Sequence, residues 1–190
     1  ISINTLLSAY EQGVFPMMVN GKLDWYSPEH RGVLPLSRFH VSRRLQRVLR
    51  KGLFHTTVNQ QFQSVITGCA ARLGNTGNWI DQEIIDSYLR LHNAGFAHSI
   101  EVWHGNNLAG GLYGVSLRGA FFGESMFHNS TDASKVALCK LVDRLQHREY
   151  QLLDIQWLTS HLARFGAIEI PRQHYLGLLV NAMKSDCKFV

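Results

Sequence analysis

Between Ser99 and Trp157 the hydrophobic period switches from two to 3.6 and back again, and that succession constrains the fold more than any other feature of the chain. Ile100 and Val102 alternate with Ser99, Glu101 and Trp103, which signals a strand. Gly105-Asn106-Asn107 reads as a turn, Leu108 to Ser116 as a second strand, and Leu117-Arg118-Gly119 as another turn. Ala120 to Phe127 then closes an antiparallel meander. From Asp132 to His147 the spacing of Leu138, Leu141, Val142 and Leu145 is helical. Leu152 to Trp157 is apolar enough for a buried strand. A short helix over Ser160–Phe165, a strand over Ala167–Ile170 and a closing helix over Tyr175–Lys184 complete this half.

The preceding half is more helical. Asn4 to Gly13 carries Leu6, Leu7 and Tyr10 on one face, with Gly13 as a stop. Val14 to Pro35 is broken by prolines and glycines and predicts loops with short strands. Ser42 is a suitable cap for a helix to Lys51, whose apolar face is Val41, Leu45, Val48 and Leu49. A strand over Phe54–Val58 and helices over Gln61–Leu73 and Asp81–Asn93 follow. Helices, three hairpin strands, a helix, then strand, strand and helix make an α+β, or mixed α/β, layer fold.

Composition narrows the class. With 45% hydrophobic and 17% charged residues over 190 positions, the chain is globular. No apolar run approaches the roughly 18 residues of a membrane span, and Ile1-Ser2-Ile3-Asn4 has no signal-peptide character. The three cysteines, Cys69, Cys139 and Cys187, are widely spaced, and none of the ten histidines forms a metal-ligand motif. Neither disulfides nor a zinc site is expected, and a reducing cytoplasm is the default compartment. The net charge of +5 is modest, but Arg43, Arg44, Arg47, Arg50 and Lys51 fall within nine residues that contain no acid.

Two strands carry misplaced polarity. Phe121-Phe122-Gly123-Glu124-Ser125-Met126-Phe127 has a carboxylate inside an apolar run. Burying it without a partner costs several kcal/mol, so Glu124 faces a polar cleft, meets a donor, or lies on an exposed face of an alternating strand. In Leu152-Leu153-Asp154-Ile155-Gln156-Trp157, Asp154 and Gln156 are two apart and so share one face of the strand. Aligned polar side chains there suit a functional cleft, although a half-exposed strand gives the same pattern.

Taken together, "GVFP", "WYSPEHRGVL", "GNWI", "HSIEVW", "GGLYGVSLRGAFFGESMF", "ASKVAL", "LDIQWLTSHLARFGAIEIPR" and "HY" resemble the leucyl/phenylalanyl-tRNA–protein transferase family. The likeness runs in order from Leu6 to Tyr175, and its two longest blocks are specific. It implies an acetyltransferase-like (GNAT) catalytic domain over residues 31–190, preceded by a remnant of a small N-terminal domain over 1–30. A leading segment and the usual C-terminal tail look absent. After "VFP" the family carries an aromatic residue that helps hold the terminal adenosine of the tRNA, whereas this chain has Met17-Met18. A thioether packs on a base less well than a ring does.

The implied reaction is the transfer of Leu or Phe, and less well Met, from aminoacyl-tRNA to the N-terminal Arg or Lys of acceptor proteins. The product would be marked for N-end rule degradation. The ester is already activated, so the chemistry requires no metal, nucleotide cofactor or covalent intermediate. It requires alignment, one proton transfer and stabilisation of an oxyanion. Asp154 is the group expected to hold the incoming amine, with Gln156 positioning a substrate and Glu124 meeting an amino group. Leu112, Phe121, Met126, Leu141 and Leu145 match the family's aminoacyl pocket, though each is equally an ordinary core residue. Trp79 and Met17 are expected at the adenosine. The basic helix from Arg43 to Lys51 suits the phosphates of an acceptor stem. Nothing demands more than a monomer.

Two other readings share parts of the pattern. An acetyl-CoA-dependent acyltransferase of the same fold would need a glycine-rich pyrophosphate loop, but His128-Asn129-Ser130-Thr131-Asp132-Ala133-Ser134-Lys135 has no glycine. A non-catalytic RNA-binding module would leave Glu124, Asp154 and Gln156 without a role.

Overall fold

The computed structural model describes residues 1–72 and 79–190. Helix α1 (Ile3–Glu11) is capped by Ser2, whose side chain accepts from the Thr5 amide. It leads into the hairpin β1 (Phe15–Val19) and β2 (Lys22–Tyr26), then β3 (His30–Val33). A 3-10 turn over Leu36–Arg38 precedes α2 (Arg43–Arg50), where Ser42 caps as expected by accepting from the Leu45 amide. Next come β4 (His55–Val58), α3 (Phe62–Arg72) and α4 (Gln82–Asn93), the last capped by Asp81. The expected helix end at Leu73 and the Gly77-Asn78 loop lie outside the described residues.

The meander is β5 (Ala97–His104), β6 (Asn107–Leu117) and β7 (Ala120–His128). Helix α5 (Ala133–His147) crosses to β8 (Leu152–Gln156), which is followed by α6 (Ser160–Ala163), β9 (Ile168–Pro171) and α7 (Arg172–Ala182). Seven strands form one sheet in the order β4-β5-β6-β7-β8-β3-β9, and β1-β2 is a separate pair. Among the described residues only β7 and β8 pair in parallel, because α5 carries the chain back between them.

Adjacent residues of the central strands sort into two apolar clusters. Tyr113, Phe122 and Leu152 join α1, α3 and α4 in one, while Leu112, Phe121 and Leu153 join α2 and α5 in the other. Period-two alternation therefore feeds two cores, one on each face of the sheet. On β5 even the polar residues of the alternation, Ser99 and Glu101, are fully buried. Glu101 accepts from Thr57 Oγ1 and Ser99 Oγ at 2.5 Å each, and from the amides of Gln60 and Gln61 ahead of α3. Four donors offset the desolvation of that carboxylate.

Helix α7 starts at Arg172, three residues before the expected Tyr175. Arg172-Gln173-His174 offers no apolar periodicity, but Pro171 at the cap has a φ already fixed for helix entry. Helix α6 is shorter than its pattern, because Gly166 turns left-handed soon after it. Among the described residues no helix is long and apolar enough to cross a membrane.

Candidate active site

The ladder between β7 and β8 stops at the pair Phe122–Asp154, yet β7 runs on to His128 and β8 to Gln156. Beyond that point lies a cavity of about 670 Å³, bordered by Gly123 to Met126 from β7, by Ile155 and Gln156 from β8 and by Trp157 just after it. Glu124 reaches it through a bulge. Gly114 pairs with Gly123 and Tyr113 with Ser125, leaving Glu124 as the extra residue.

The Glu124 carboxylate is 7% exposed and holds three side-chain donors. Tyr10 of α1 donates to Oε1 at 2.7 Å, while Tyr88 of α4 and Gln156 of β8 donate to Oε2 at 3.3 and 3.0 Å. Tyr10 and Tyr88 also bond each other. Burial pushes Glu124 up to about 7, and the charge of Asp154 adds to it against the three hydrogen bonds. A carboxylate poised there exchanges a proton near neutrality.

Asp154 is placed differently from expectation. It is fully buried and stands behind the cavity wall, bound by Arg31. Arg31 Nε lies 3.0 and 3.1 Å from the two carboxylate oxygens, and Nη2 lies 2.7 Å from Oδ2. Tyr175 donates to the same Oδ2 at 2.7 Å, and the Gln156 amide donates to Oδ1 at 2.8 Å. These donors leave an incoming amine no direct approach to Asp154. The carboxylate instead fixes Gln156, a non-glycine residue at φ +63°, a conformation that costs roughly 1–3 kcal/mol unless its surroundings hold it. Gly32 helps for a steric reason, since a Cβ there would sit 2.6 Å from the Trp157 carbonyl carbon.

Of the five apolar candidates, Leu112, Met126 and Leu141 border the cavity. Phe121 and Leu145 do not. Both are fully buried in the cluster behind it, Phe121 against the ring of Phe189 at 5.1 Å. Leu138, Leu153 and Ile155 take their places in the wall. The likeness to the family pointed to these five residues, and the apolar pattern by itself does not separate cavity-facing side chains from those behind them.

Trp79 and Met17 both border the cavity, joined through a hydrogen bond from the Met18 amide to the Trp79 carbonyl. On α2, Arg43, Arg47, Arg50 and Lys51 are exposed. Arg44 meets Asp132 at 2.6 Å, so the helix that lacks acids in sequence gains one from the start of α5. Asp132 also holds Lys135 at 2.6 Å and itself borders the cavity, which places α2 beside its mouth. Among the described residues no cluster of His, Cys, Asp or Glu is arranged to hold a metal ion.

Sequence reasoning passed over Arg31, Tyr10, Tyr88 and Tyr175. The signal for Arg31 was present, a lone cation beside Gly32 in the apolar run Arg31-Gly32-Val33-Leu34. The guanidinium lies 4.5 Å from the ring centroids of both Phe15 and Tyr175 and donates to the Gly13 carbonyl. The tyrosines were read only as apolar helix positions or motif ends, and their hydroxyls find Glu124 and Asp154 through pairings distant in sequence.

The sequence family described as leucyl/phenylalanyl-tRNA protein transferase matches residues 33–180, and that family's N-terminal domain matches 1–29. A leucyl/phenylalanyl-tRNA–protein transferase of Rhodopseudomonas palustris (strain HaA2) is 50% identical over 193 residues, covering 100% of this chain and 86% of that one. Its counterpart in Herpetosiphon aurantiacus is 46% identical over 190 residues, covering 100% and 98%. Among solved structures, L-PGS from Bacillus licheniformis superposes with a TM-score of 0.52 at 10% identity, over 96% of this chain and 71% of that one. At that identity the likeness concerns the fold alone. The fold is acetyltransferase-like: an antiparallel meander, a crossover helix, and a parallel strand that parts from its neighbour at a cavity.

Proposed function

The chain belongs to the leucyl/phenylalanyl-tRNA–protein transferase family, and on that premise we propose how its cavity moves an amino acid from tRNA to a protein N-terminus. The enzyme is an aminoacyltransferase whose substrates are an aminoacyl-tRNA carrying Leu or Phe and an acceptor protein. The observation that carries the reading is Glu124, a buried carboxylate pushed up to about 7 and hydrogen-bonded to Gln156. It stands in a cavity that has an apolar wall of Leu112, Met126, Leu138, Leu141 and Leu153 and a polar rim that includes Asp132 and Lys135.

The transferred side chain lies against Leu112, Met126, Leu138, Leu141 and Leu153, a wall that a leucyl or phenylalanyl group fills by burial alone. Trp79 stacks on the terminal adenine and Met17 closes its other side. The exposed cations Arg43, Arg47, Arg50 and Lys51 take phosphates of the acceptor stem, with Arg44 oriented by Asp132. Sequence-independent grip of this kind suits an enzyme that reads the amino acid and not the tRNA body.

In the chemical step the acceptor amine attacks the ester carbonyl carbon, the new C–N bond forms, and the ribose oxygen leaves. Glu124 takes the proton that the amine loses. Gln156 orients the reactants from its fixed left-handed position. Asp154, locked by Arg31 and Tyr175, acts through Gln156 and not on the amine. An acceptor beginning with Arg or Lys suits a site where Glu124, held by three neutral donors, has no cation against it among the described residues. We place this transfer in N-end rule marking for degradation, carried out by a monomer in the cytoplasm.

One observation speaks against the acetyl-CoA reading. The Asp132 carboxylate, held by Lys135 and Arg44, sits at the start of α5, where a pyrophosphate would otherwise lie. The test of the proposed reaction is incubation with radiolabelled leucyl-tRNA and proteins beginning with Arg, Lys or Met, followed by acid precipitation. Label should enter the first two acceptors and not the third. Label transferred from acetyl-CoA instead would overturn the reading.

A further inference from the structure

The transfer creates a negative oxygen on the former carbonyl, and none of the groups assigned so far donates to it. Gln156 gives one of its two amide hydrogens to Glu124, which holds the group against that carboxylate, and Glu124 is an acceptor until it takes the amine's proton.

Tyr113 supplies what is missing. It lies on β6, fully buried, and borders the same cavity as Glu124. Its hydroxyl has no hydrogen-bond partner among the described residues. Every other buried polar group around the floor is engaged: Tyr10 and Tyr88 with Glu124 and each other, Tyr175 with Asp154. An enclosed hydroxyl left unpaired costs the fold on the order of 1–3 kcal/mol, so such a group needs a reason. The ring itself is firmly placed, edge-on to Tyr88 at 5.6 Å and to Phe62 at 5.8 Å. The ring is fixed and the hydroxyl unpaired, but its oxygen is closed off from solvent, so a bound substrate must displace a neighbouring side chain of the wall before its carbonyl meets this donor.

We infer that Tyr113 donates its hydroxyl hydrogen to the oxyanion that forms on the aminoacyl carbonyl during transfer, a role that rests on reading the cavity as the aminoacyl site. Burial, with the charges of Tyr88 and Glu124, holds its phenol well above the usual range, so the hydrogen stays in place to be donated. The timing is favourable. As the amine adds, Glu124 becomes neutral by accepting the proton while negative charge appears on the carbonyl oxygen. The site's total charge is unchanged, and the position of the charge moves toward the donor. The hydrogen bond strengthens only in the transition state, which is the condition for raising turnover and not affinity.

The variant is Tyr113→Phe, and three readouts are taken on one preparation of the full chain. Transfer from leucyl-tRNA should lose about 10²-fold in kcat with KM for the charged tRNA unchanged. Two adenosine probes separate ground state from transition state: a planar leucyl amide of 3′-amino-3′-deoxyadenosine, and a phosphonate ester with phosphorus in place of the leucyl carbonyl carbon. The variant should bind the planar amide as wild type does and the phosphonate about 10²-fold more weakly. Its melting temperature should equal or exceed that of wild type, since an unpaired hydroxyl has been removed. Equal weakening of both probes, unchanged phosphonate binding, or a depressed melting temperature would each overturn the assignment. If wild type binds neither probe, the cavity is not the aminoacyl site and the proposed function falls with the inference.

Discussion

Gln156 Nε2 donates to Glu124 Oε2 across 3.0 Å, tying β8 to β7 one step past the point where their backbone ladder ends. The side-chain bond replaces the missing backbone bonds and puts an amide and a carboxylate together in a cavity. Gln156→Ala breaks this link without disturbing Asp154, whose oxygens still meet Arg31, Tyr175 and the residue 156 amide. Transfer should fall about 10²-fold with the melting curve nearly unchanged. Wild-type transfer by Gln156→Ala would remove the side chain from the mechanism.

Asp154→Ala should behave in the opposite way on stability. It leaves Arg31 as a buried cation between two rings, with the Gly13 carbonyl and the Tyr175 hydroxyl as neutral acceptors and no carboxylate. Breaking a buried pair in this manner costs about 3–5 kcal/mol, or a fall of roughly 6 °C or more in melting temperature for a chain of this size. Thermal melts decide it. An unshifted melt would mean that the pair is not a structural clamp.

Glu124 also marks stability, with a sign that can be worked out. Its folded pKa of about 7 lies above the ordinary 4.5, so the folded state holds a proton that the unfolded state releases first. That stabilisation is complete below about 4.5 and is lost as pH rises through about 7, by up to about 3 kcal/mol. His98, lowered to about 4 chiefly by burial, pulls the other way over an overlapping range. The difference between wild type and Glu124→Gln cancels it. Wild type should lose stability relative to the variant between pH 5 and 8 in calorimetric melts, and parallel curves would refute the shifted carboxyl.

The apolar wall makes a paired prediction. Leu141→Trp, at the cavity, should reduce transfer of Phe more than Leu with little change in affinity for uncharged tRNA. Leu145→Trp, one turn along α5 but behind the wall, should lower both activities and the melting temperature together, because overpacking a core costs about 1–3 kcal/mol. Competition between the two charged tRNAs reads the first effect. Identical behaviour of the two variants would place the side-chain pocket elsewhere.

Replacing Arg43, Arg47 and Arg50 by Ala should weaken binding of leucyl- and phenylalanyl-tRNA equally. The salt dependence should flatten by about 1 in logarithmic slope for each phosphate released from the helix. An unchanged slope in salt titrations would show that α2 does not hold phosphates.

Period changes made the elements legible, the cap Ser42 placed one helix start, and the apolar face from Ile84 placed another within a residue. Glu124, Asp154 and Gln156 stood out because a carboxylate or amide in an apolar strand demands a partner. What the pattern does not carry is which partner. Arg31 meets Asp154 across 123 positions, and Tyr10 meets Glu124 across 114. Nor does period two reveal a bulge, so the register that turns Glu124 into the cavity was invisible. The same limit applies to Phe121 and Leu145, where an apolar side chain reads alike in a wall or behind one.

The central claim is that Glu124 accepts the amine's proton in the cavity between β7 and β8. Single-turnover transfer of leucine to an acceptor beginning with Arg, followed from pH 5.5 to 9, tests it most directly. Wild type should rise by up to about a hundredfold per pH unit at the acid end, where both Glu124 and the acceptor's α-ammonium must lose a proton. The rise should then be about tenfold per unit from pH 7, where Glu124 becomes a carboxylate, to about pH 8, where the amine is free. Glu124→Gln should be slower by about 10²-fold and keep only the tenfold limb of the amine. A variant that keeps the wild-type limb and rate would contradict the account.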